Sequence, residues 1–288
     1  MSNILEVSNI CKTYPKSHFA LDNISFVVPQ GSIMGLVGEN GSGKTTTLSI
    51  ILGLLRANSG TGTVNIFGRP FSADDIEMKA QIGVVFDGNC FPDPFTPRHI
   101  SKIFGKIYKR WDNALFLDLL KAYDIHEKHT VSSMSHGTKS MLAIITALSQ
   151  RPTLLILDEP TNGIDPVRRE EVHDLFLDFV SDGQKSIVFS SHITSDLERV
   201  ADYITFIHKG KLVDSAEKDV FLYKYGVIRC GQDTFDAMNK SQIIRYVKRD
   251  YQYRILVKDQ SKIEPGNFIL ESPTLDEVMY IISRGQPL

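Results

Sequence analysis

Eight residues from position 38 to 45 have the composition of a phosphate-binding loop. They read Gly-Glu-Asn-Gly-Ser-Gly-Lys-Thr and match G-x-x-x-x-G-K-[ST] at every position. Glycines let the backbone curl so that several N–H groups point at one anion, and the start of a following helix adds its positive dipole end. We expect Lys44 to reach the β- and γ-phosphates of ATP and the Thr45 hydroxyl to bind Mg²⁺. The predicted nucleotide-binding residues here are Gly38, Asn40, Gly41, Ser42, Gly43, Lys44, Thr45 and Thr46.

Two neighbouring acids end an apolar run further along the chain. Leu154–Leu157 is followed directly by Asp158 and Glu159. Buried strands rarely end in paired acids without a cation or a reaction to serve. We expect Asp158 to hold Mg²⁺, directly or through water, and Glu159 to orient or deprotonate an attacking water. A solvated loop can also begin with two acids, but the phosphate-binding loop in the same chain favours the catalytic interpretation.

The elements around these residues alternate between strands and helices. Short apolar runs at Ser32–Val37, Leu154–Leu157 and Ser186–Ser190 suit buried strands, and a final strand is expected at Tyr203–His208. Helical spacing follows them, for example from Thr45 to Leu55 after the loop. Because the first apolar run leads straight into the octet, a chance glycine turn is a poor alternative for that octet. The alternation predicts an α/β fold whose largely parallel sheet is buried by helices on both faces.

Composition excludes several classes of protein. The 288 residues carry a formal net charge of −2, without the basic excess of a nucleic-acid binder. The three cysteines are far apart, which fits reduced thiols in a cytosolic protein rather than a zinc site. No stretch approaches the ~20 apolar residues that span a bilayer, and the first residues lack the pattern of a signal peptide. Any membrane-embedded part must therefore come from another chain.

The motifs together resemble those of the ABC (ATP-binding cassette) ATPases. The phosphate-binding loop, LLILDEPTNGID and SSH follow one another in the order and spacing of that family, over roughly residues 3–215. The resemblance implies a P-loop NTPase with a RecA-like core, a small antiparallel β subdomain and a helical subdomain at about 92–150. It also implies that ATP lies between two such domains, head to tail. The predicted division is an ATPase domain at 1–215 and an α+β appendage at 216–288, whose last helix opens with a capping box, Thr274–Glu277.

The resemblance also assigns roles to single residues. Tyr14 stands where the family stacks an aromatic ring on adenine, although a packed tyrosine after a strand is the alternative. Asn162–Asp165 occupies the D-loop, which touches the partner subunit. His192 occupies the switch position that senses the γ-phosphate, and we count it with Glu159 as catalytic. Taken alone, His192 would fit a structural histidine better than a functional one.

Two motifs depart from the family pattern. The signature, usually Leu-Ser-Gly-Gly-Gln, reads Met-Ser-His-Gly-Thr at 134–138. Ser135 and Gly137 remain to bind ATP held by the opposite subunit, whereas His136 adds bulk and, by hypothesis, a charge that depends on pH. The family's Q-loop glutamine falls at Asp87, which can bind Mg²⁺ through water but brings a negative charge towards the phosphates. The role of Asp87 is therefore left open.

The resemblance implies an ATPase that powers a transporter. ATP binding would close a homodimer or heterodimer of cassettes docked on a separate transmembrane permease subunit, at the cytoplasmic face of the cell membrane. The GKTTTL and TNGIDP segments and the C-terminal tail look like bacterial ABC-2 exporters of peptides, antimicrobials or drugs. An importer ATPase is the nearer alternative. Non-transport ABC ATPases fit less well, because the interval from 44 to 158 is too short for a coiled-coil insertion and only one phosphate-binding loop exists.

Overall fold

A large mixed sheet forms the centre of the computed structural model, which describes residues 2–15, 19–88 and 90–287. Its strands within those ranges are β1 (Asn3–Thr13), β2 (Ala20–Pro29), β3 (Ile33–Val37), β4 (Thr63–Ile66), β5 (Arg69–Pro70), β6 (Ile82–Val85), β7 (Leu154–Asp158), β8 (Ser186–Ser191), β9 (Tyr203–His208) and β10 (Lys211–Glu217). They are arranged in the order β5-β4-β1-β2-β10-β9-β3-β8-β7-β6. The strands β9, β3, β8, β7 and β6 run parallel, whereas β1, β2, β4 and β5 pair antiparallel. The predicted α/β fold with an antiparallel β subdomain is confirmed.

Helices cover both faces of this sheet. In the described residues they are α1 (Lys44–Ile51), α2 (Ile76–Lys79), α3 (Pro97–Ile107), α4 (Asn113–Ala122), α5 (His136–Ser149), α6 (Pro166–Val180), α7 (Thr194–Val200), α8 (Lys218–Lys224), α9 (Gln232–Ala237) and α10 (Leu275–Arg284). Along β7, Leu155 and Leu157 join one hydrophobic cluster with α4, α5 and α6, while Leu154 and Ile156 join another with α1. This alternation gives β7 two buried faces, as in parallel sheets with helices on each side.

The helix after the phosphate-binding loop is shorter than predicted. It ends at Ile51 instead of Leu55, because Gly53 adopts a left-handed φ of 68° and its N–H bonds back to the Ile50 carbonyl. Leu55 still packs against the core from outside the helix. The apolar spacing therefore predicted correctly that Leu55 faces the core, but the helix ends before this residue.

The prediction that Tyr203–His208 is the last core strand was wrong. A two-residue turn, Lys209 and Gly210, connects β9 to β10, with φ values of 48° and 78°. Positive φ at both turn residues matches the twist of a tight antiparallel hairpin. Because β10 is only half-buried along most of its length, its sequence carries a weak apolar signal.

A second, four-stranded antiparallel sheet follows in the described part of the C-terminal region. It consists of β11 (Gly226–Cys230), β12 (Ile243–Arg249), β13 (Gln252–Val257) and β14 (Ile269–Glu271), in the order β12-β13-β11-β14. Of the predicted capping box before α10, one half forms: the Thr274 hydroxyl accepts from the Glu277 N–H. The other half of the predicted box does not form, because the Glu277 carboxylate accepts a hydrogen bond from Arg229 instead. The domain boundary after residue 215 stays a prediction, and β10 runs two residues past it.

Candidate nucleotide-binding site

The phosphate-binding loop joins β3 to α1, and two of its glycines have different surroundings. Gly43 has a φ of 116°, and a Cβ there would lie 2.4 Å from Cδ2 of Leu21. Gly41 also has a positive φ, but a Cβ there would have no heavy atom within 4 Å. The loop thus needs Gly43 for its packing and its conformation, while Gly41 faces open space at the site.

Two polar side chains beneath the loop fit a bound phosphate. Lys44 is 5% exposed, and its ammonium donates to the Gly38 carbonyl at 2.7 Å. Ser42 Oγ is buried and finds no hydrogen-bond partner within the described ranges. An orphaned buried hydroxyl is costly unless a ligand or water satisfies it, and a buried ammonium attracts an anion. These residues therefore fit ATP phosphates.

A hydroxyl and a carboxylate meet beside the loop. Thr45 Oγ1 donates to Asp158 Oδ2 at 2.7 Å, while Ser190 Oγ donates to Asp158 Oδ1 at 2.5 Å. Asp158 is 3% exposed, whereas Thr45 is exposed. Oxygen ligands of this kind suit Mg²⁺, which typically takes one or two protein oxygens together with phosphates and water. The pair therefore fits the predicted metal.

Glu159 lies between Lys44 and His192. Its Oε1 is 3.2 Å from the Lys44 ammonium, and its Oε2 is 2.7 Å from His192 Nδ1. The backbone N–H of His192 also donates to Oε2, at 3.2 Å. An ionised carboxylate only accepts hydrogen bonds, so Nδ1 is the protonated ring nitrogen in this arrangement. The two residues predicted to be catalytic are therefore in direct contact.

These side chains converge on one cavity of about 360 Å³. Its walls are formed by Phe19, Asn40, Gly41, Gly43, Lys44, Thr45, Thr46, Asp87, Asp158, Glu159, Asn162 and His192. Ten of the twelve were predicted as site residues from the sequence, and Asn162 was predicted as part of the D-loop. Asp87 is exposed, and its Oδ1 is 3.5 Å from Asn162 Nδ2. Its position in the wall agrees with the Q-loop prediction, while its metal role stays a prediction.

Phe19 is the cavity residue that sequence reasoning missed. The wall includes Phe19 and not Tyr14, whose ring centroid is 6.3 Å from that of Phe19. Either ring offers a flat face for a base, so the stacking role of Tyr14 remains a proposal with Phe19 as a second candidate. An aromatic residue directly before β2 was the available signal. The intervening residues 16–18 lie outside the described ranges.

The signature residues lie outside this cavity. Ser135 is the N-cap of α5, where its hydroxyl accepts from the Thr138 N–H at 3.2 Å. Ser135 and His136 are exposed, and Gly137 lies in the first turn of the helix. A Cβ at Gly163 would be 2.6 Å from His136 Nδ1, so the signature packs against the D-loop. This chain does not bring Ser135 and Gly137 to its own phosphate-binding loop.

A buried polar cluster behind the D-loop was also missed. The Thr161 hydroxyl donates to Asp196 Oδ2 at 2.6 Å, and His173 Nε2 lies 3.5 Å from Asp196 Oδ1. Arg169 approaches Asp196 at 3.8 Å and donates to the Ile164 carbonyl at 3.3 Å. Burial lowers the pKa of His173, and the Asp196 carboxylate opposes this shift. The cluster ties the D-loop to α7, the helix that follows His192.

Proteins of known families have sequences similar to that of this chain. A family model described as ABC transporter matches residues 21–162. The bacitracin transport ATP-binding protein BcrA of Bacillus licheniformis is 36% identical over 221 residues, covering 76% of this chain and 71% of that protein. The lantibiotic transport ATP-binding protein SrtF of Streptococcus pyogenes is 33% identical over 218 residues, covering 75% of this chain and 92% of that protein. This chain belongs to the ABC transporter ATP-binding proteins.

The solved structures support the fold of this ABC protein. A dimeric ATP-binding cassette in a post-hydrolysis state, bound to ADP and Pi, matches with a TM-score of 0.65 at 22% identity. The match covers 74% of this chain and 98% of that chain. As a member of the family, the protein is an ATP-binding subunit and an ATPase. Among its described residues, no helix is long and apolar enough to cross a membrane.

Proposed function

We propose that this ATPase powers a separate transmembrane permease that exports peptides or related antimicrobial compounds. The convergence of Lys44, Asp158, Glu159 and His192 on one cavity carries the ATPase part of the proposal. The names of the relatives, which refer to bacitracin and lantibiotic transport, support the export of peptides. The proposed location is the cytoplasmic face of the cell membrane.

The chain's own contacts suggest how ATP arrival starts the reaction. Glu159 is paired with the Lys44 ammonium, which is also the group expected to bind phosphate oxygens. Phosphates that attract Lys44 release Glu159 Oε1, which then accepts a hydrogen bond from the attacking water. His192 holds the other oxygen and so keeps the carboxylate in place. Thr45 and Asp158 would hold Mg²⁺, whose positive charge would neutralise the phosphates.

A second cassette completes the site in this proposal. Ser135 and His136 at the start of α5 are exposed, and neither lines the cavity of this chain. The N-terminus of a helix binds anions through its unpaired N–H groups. In a head-to-tail pair with a partner cassette, identical or different, this segment would therefore meet the ATP held by the partner, and the partner's signature would meet the ATP held here.

Co-purification from the protein's own cells tests the proposal. A tagged Glu159→Gln chain, expected to trap ATP and stabilise the closed state, is purified from gently solubilised membranes. We expect a multi-span protein in stoichiometric amount, and mass spectrometry shows whether the second cassette is identical or different. Recovery with ribosomes or DNA-bound proteins alone would overturn the transport role while leaving the ATPase intact.

Antibiotic sensitivity tests the direction and the substrate class. We expect cells that carry only Lys44→Ala to become more sensitive to bacitracin or to a lantibiotic than cells with the wild-type chain. A matched surface variant, Lys258→Ala, is expected to behave as wild type. Unchanged sensitivity together with lost uptake of a nutrient would favour an importer.

A further inference from the structure

We propose that Ser190 is a positioning residue for ATP hydrolysis, which fixes the Asp158 carboxylate and the Glu159 backbone at the end of β7 through a single hydroxyl. Ser190 is 0% exposed. Its Oγ donates to Asp158 Oδ1 at 2.5 Å and accepts from the Glu159 N–H at 3.1 Å. The inference rests on the ATPase role of the site, but it adds a residue that is not among the predicted site residues.

Strand register explains how one serine reaches both acids. Ser190 on β8 is the direct parallel neighbour of Asp158 on β7. A hydroxyl has one donor and two acceptor positions, so it can donate to Asp158 and accept from Glu159 at once. With Oδ1 of Asp158 bonded to Ser190, Oδ2 is left facing Thr45. Ser190 therefore fixes the orientation in which the Asp158 carboxylate presents its other oxygen to Thr45 and to the predicted metal.

Backbone geometry gives the second reason. Glu159 has a φ of 49°, in the left-handed region that non-glycine residues seldom adopt. Its N–H is bonded to Ser190 twice, to the carbonyl at 3.2 Å and to Oγ at 3.1 Å. Such backbone conformations persist when the surrounding structure holds them in place. Removing the hydroxyl takes away one of these two restraints at the residue that positions water.

A simple structural role would give the same hydrogen bonds, so the test needs a matched buried serine. Ser149 in α5 is also 0% exposed, and its hydroxyl donates to the Ile145 carbonyl at 2.7 Å, away from the cavity. Replacing either serine by alanine deletes one buried hydroxyl. Only the Ser190 change leaves the Asp158 carboxylate without this donor and the Glu159 N–H without this acceptor.

The experiment compares Ser190→Ala, Ser190→Thr and Ser149→Ala with the wild-type chain. We expect Ser190→Ala to lower kcat about 10- to 100-fold, as for other groups that orient metal ligands, and to raise the Mg²⁺ concentration needed for half-maximal activity. Ser190→Thr keeps the hydroxyl and is expected to recover part of this loss. Ser149→Ala is expected to keep the wild-type kcat whatever its melting temperature.

Equilibrium binding of a fluorescent ATP analogue gives a readout that does not depend on turnover. We expect Ser190→Ala to bind it like wild type in EDTA, because the phosphate-binding loop is intact, and to gain less affinity than wild type when Mg²⁺ is added. Equal gain, or a kcat loss no larger than that of Ser149→Ala, would overturn the inference. A wild-type chain without hydrolysis would instead refute the ATPase role, and the Mg²⁺-dependent gain would still decide the role of Ser190.

Discussion

The end of strand β7 and the start of helix α5 both carry family motifs, yet their surroundings are opposite. Asp158 and Ser190 are buried and bonded across two strands and the phosphate-binding loop. Ser135 and His136 are exposed, and the Ser135 hydroxyl bonds within its own helix, to Thr138. The first region is assembled by the fold of this chain, whereas the second presents its groups to the outside.

This difference predicts that the two regions tolerate departures from the family pattern unequally. Every residue at the strand end has neighbours that fix it, so a change there disturbs several contacts at once. At the signature, His136 stands where the family pattern has glycine, at the exposed start of α5, and packs beside Gly163. Few contacts within this chain therefore restrain the signature, and we expect its contacts with a partner cassette to restrain it further.

The largest effect is expected for Glu159→Gln, which tests the buried region. Loss of the carboxylate removes the group that orients water, so turnover should fall about 10²- to 10⁴-fold. ATP binding should persist, because Lys44 keeps its position at the Gly38 carbonyl. Steady-state ATPase assays and equilibrium nucleotide binding check both statements. The exposed acid Glu264, changed to glutamine, serves as control, and wild-type turnover in Glu159→Gln would refute the assignment.

The next effect tests whether the exposed region serves a second copy. Lys44→Ala and Ser135→Arg chains should each be nearly inactive alone. If each site combines the loop of one chain with the signature of the other, mixing them rebuilds one intact site per mixed dimer. Random pairing of two copies in a two-fold symmetric dimer then predicts about a quarter of wild-type turnover. Mixtures as inactive as the separate variants would show that these two residues do not act across an interface between identical chains.

The sequence predicted the functional residues of the buried region better than the residues that hold them in place. Lys44, Asp158 and Glu159 stand in contiguous motifs whose chemistry depends on local spacing, and the cavity contains them all. Ser190 and Asp196 were missed, because their partners lie 32 and 35 residues away along the chain and only the tertiary fold brings them together. Strand β10 was missed since its half-buried face gives no clear periodicity. Tertiary pairing therefore accounts for what local patterns could not predict.

A smaller effect is expected where the two regions meet, at Gly163. Its φ of 70° disfavours a side chain, and a Cβ would lie 2.6 Å from His136 Nδ1. Gly163→Ala should displace the D-loop and lower turnover about tenfold, less than the ~10²-fold that a 1 Å misplacement can cost. ATP affinity should stay unchanged. His136→Gly in the same chain should recover part of the loss, because it removes the clash but leaves the backbone strain.

Gly60→Ala is the matched control for this prediction. Gly60 has a similar φ of 75°, but a Cβ there would meet no heavy atom within 4 Å. Its replacement therefore carries the backbone cost without the contact with the signature. Equal loss of turnover in both alanine variants, or no recovery by His136→Gly, would show that the contact between signature and D-loop has no part in the reaction.

The smallest effect concerns stability and contrasts a buried histidine with an exposed one. His173 is 2% exposed and faces Asp196, Arg169, Glu170 and Arg199. Burial lowers its pKa, so the unfolded chain, with an ordinary histidine pKa of about 6.5, binds more protons than the folded chain just below that pH. Stability from this residue is therefore present above about pH 6.5 and is lost as the pH falls towards the lowered pKa of the folded state.

Thermal unfolding at two pH values measures this contribution. When the pH falls from about 7.5 to about 5.5, we expect the melting temperature of the wild-type chain to decrease more than that of His173→Gln, because glutamine cannot take up the proton. His136→Gln should keep the wild-type pH dependence, since this side chain is exposed and outside the buried cluster. Flattening of the dependence by His136→Gln and not by His173→Gln would contradict the assignment of this contribution to the buried cluster.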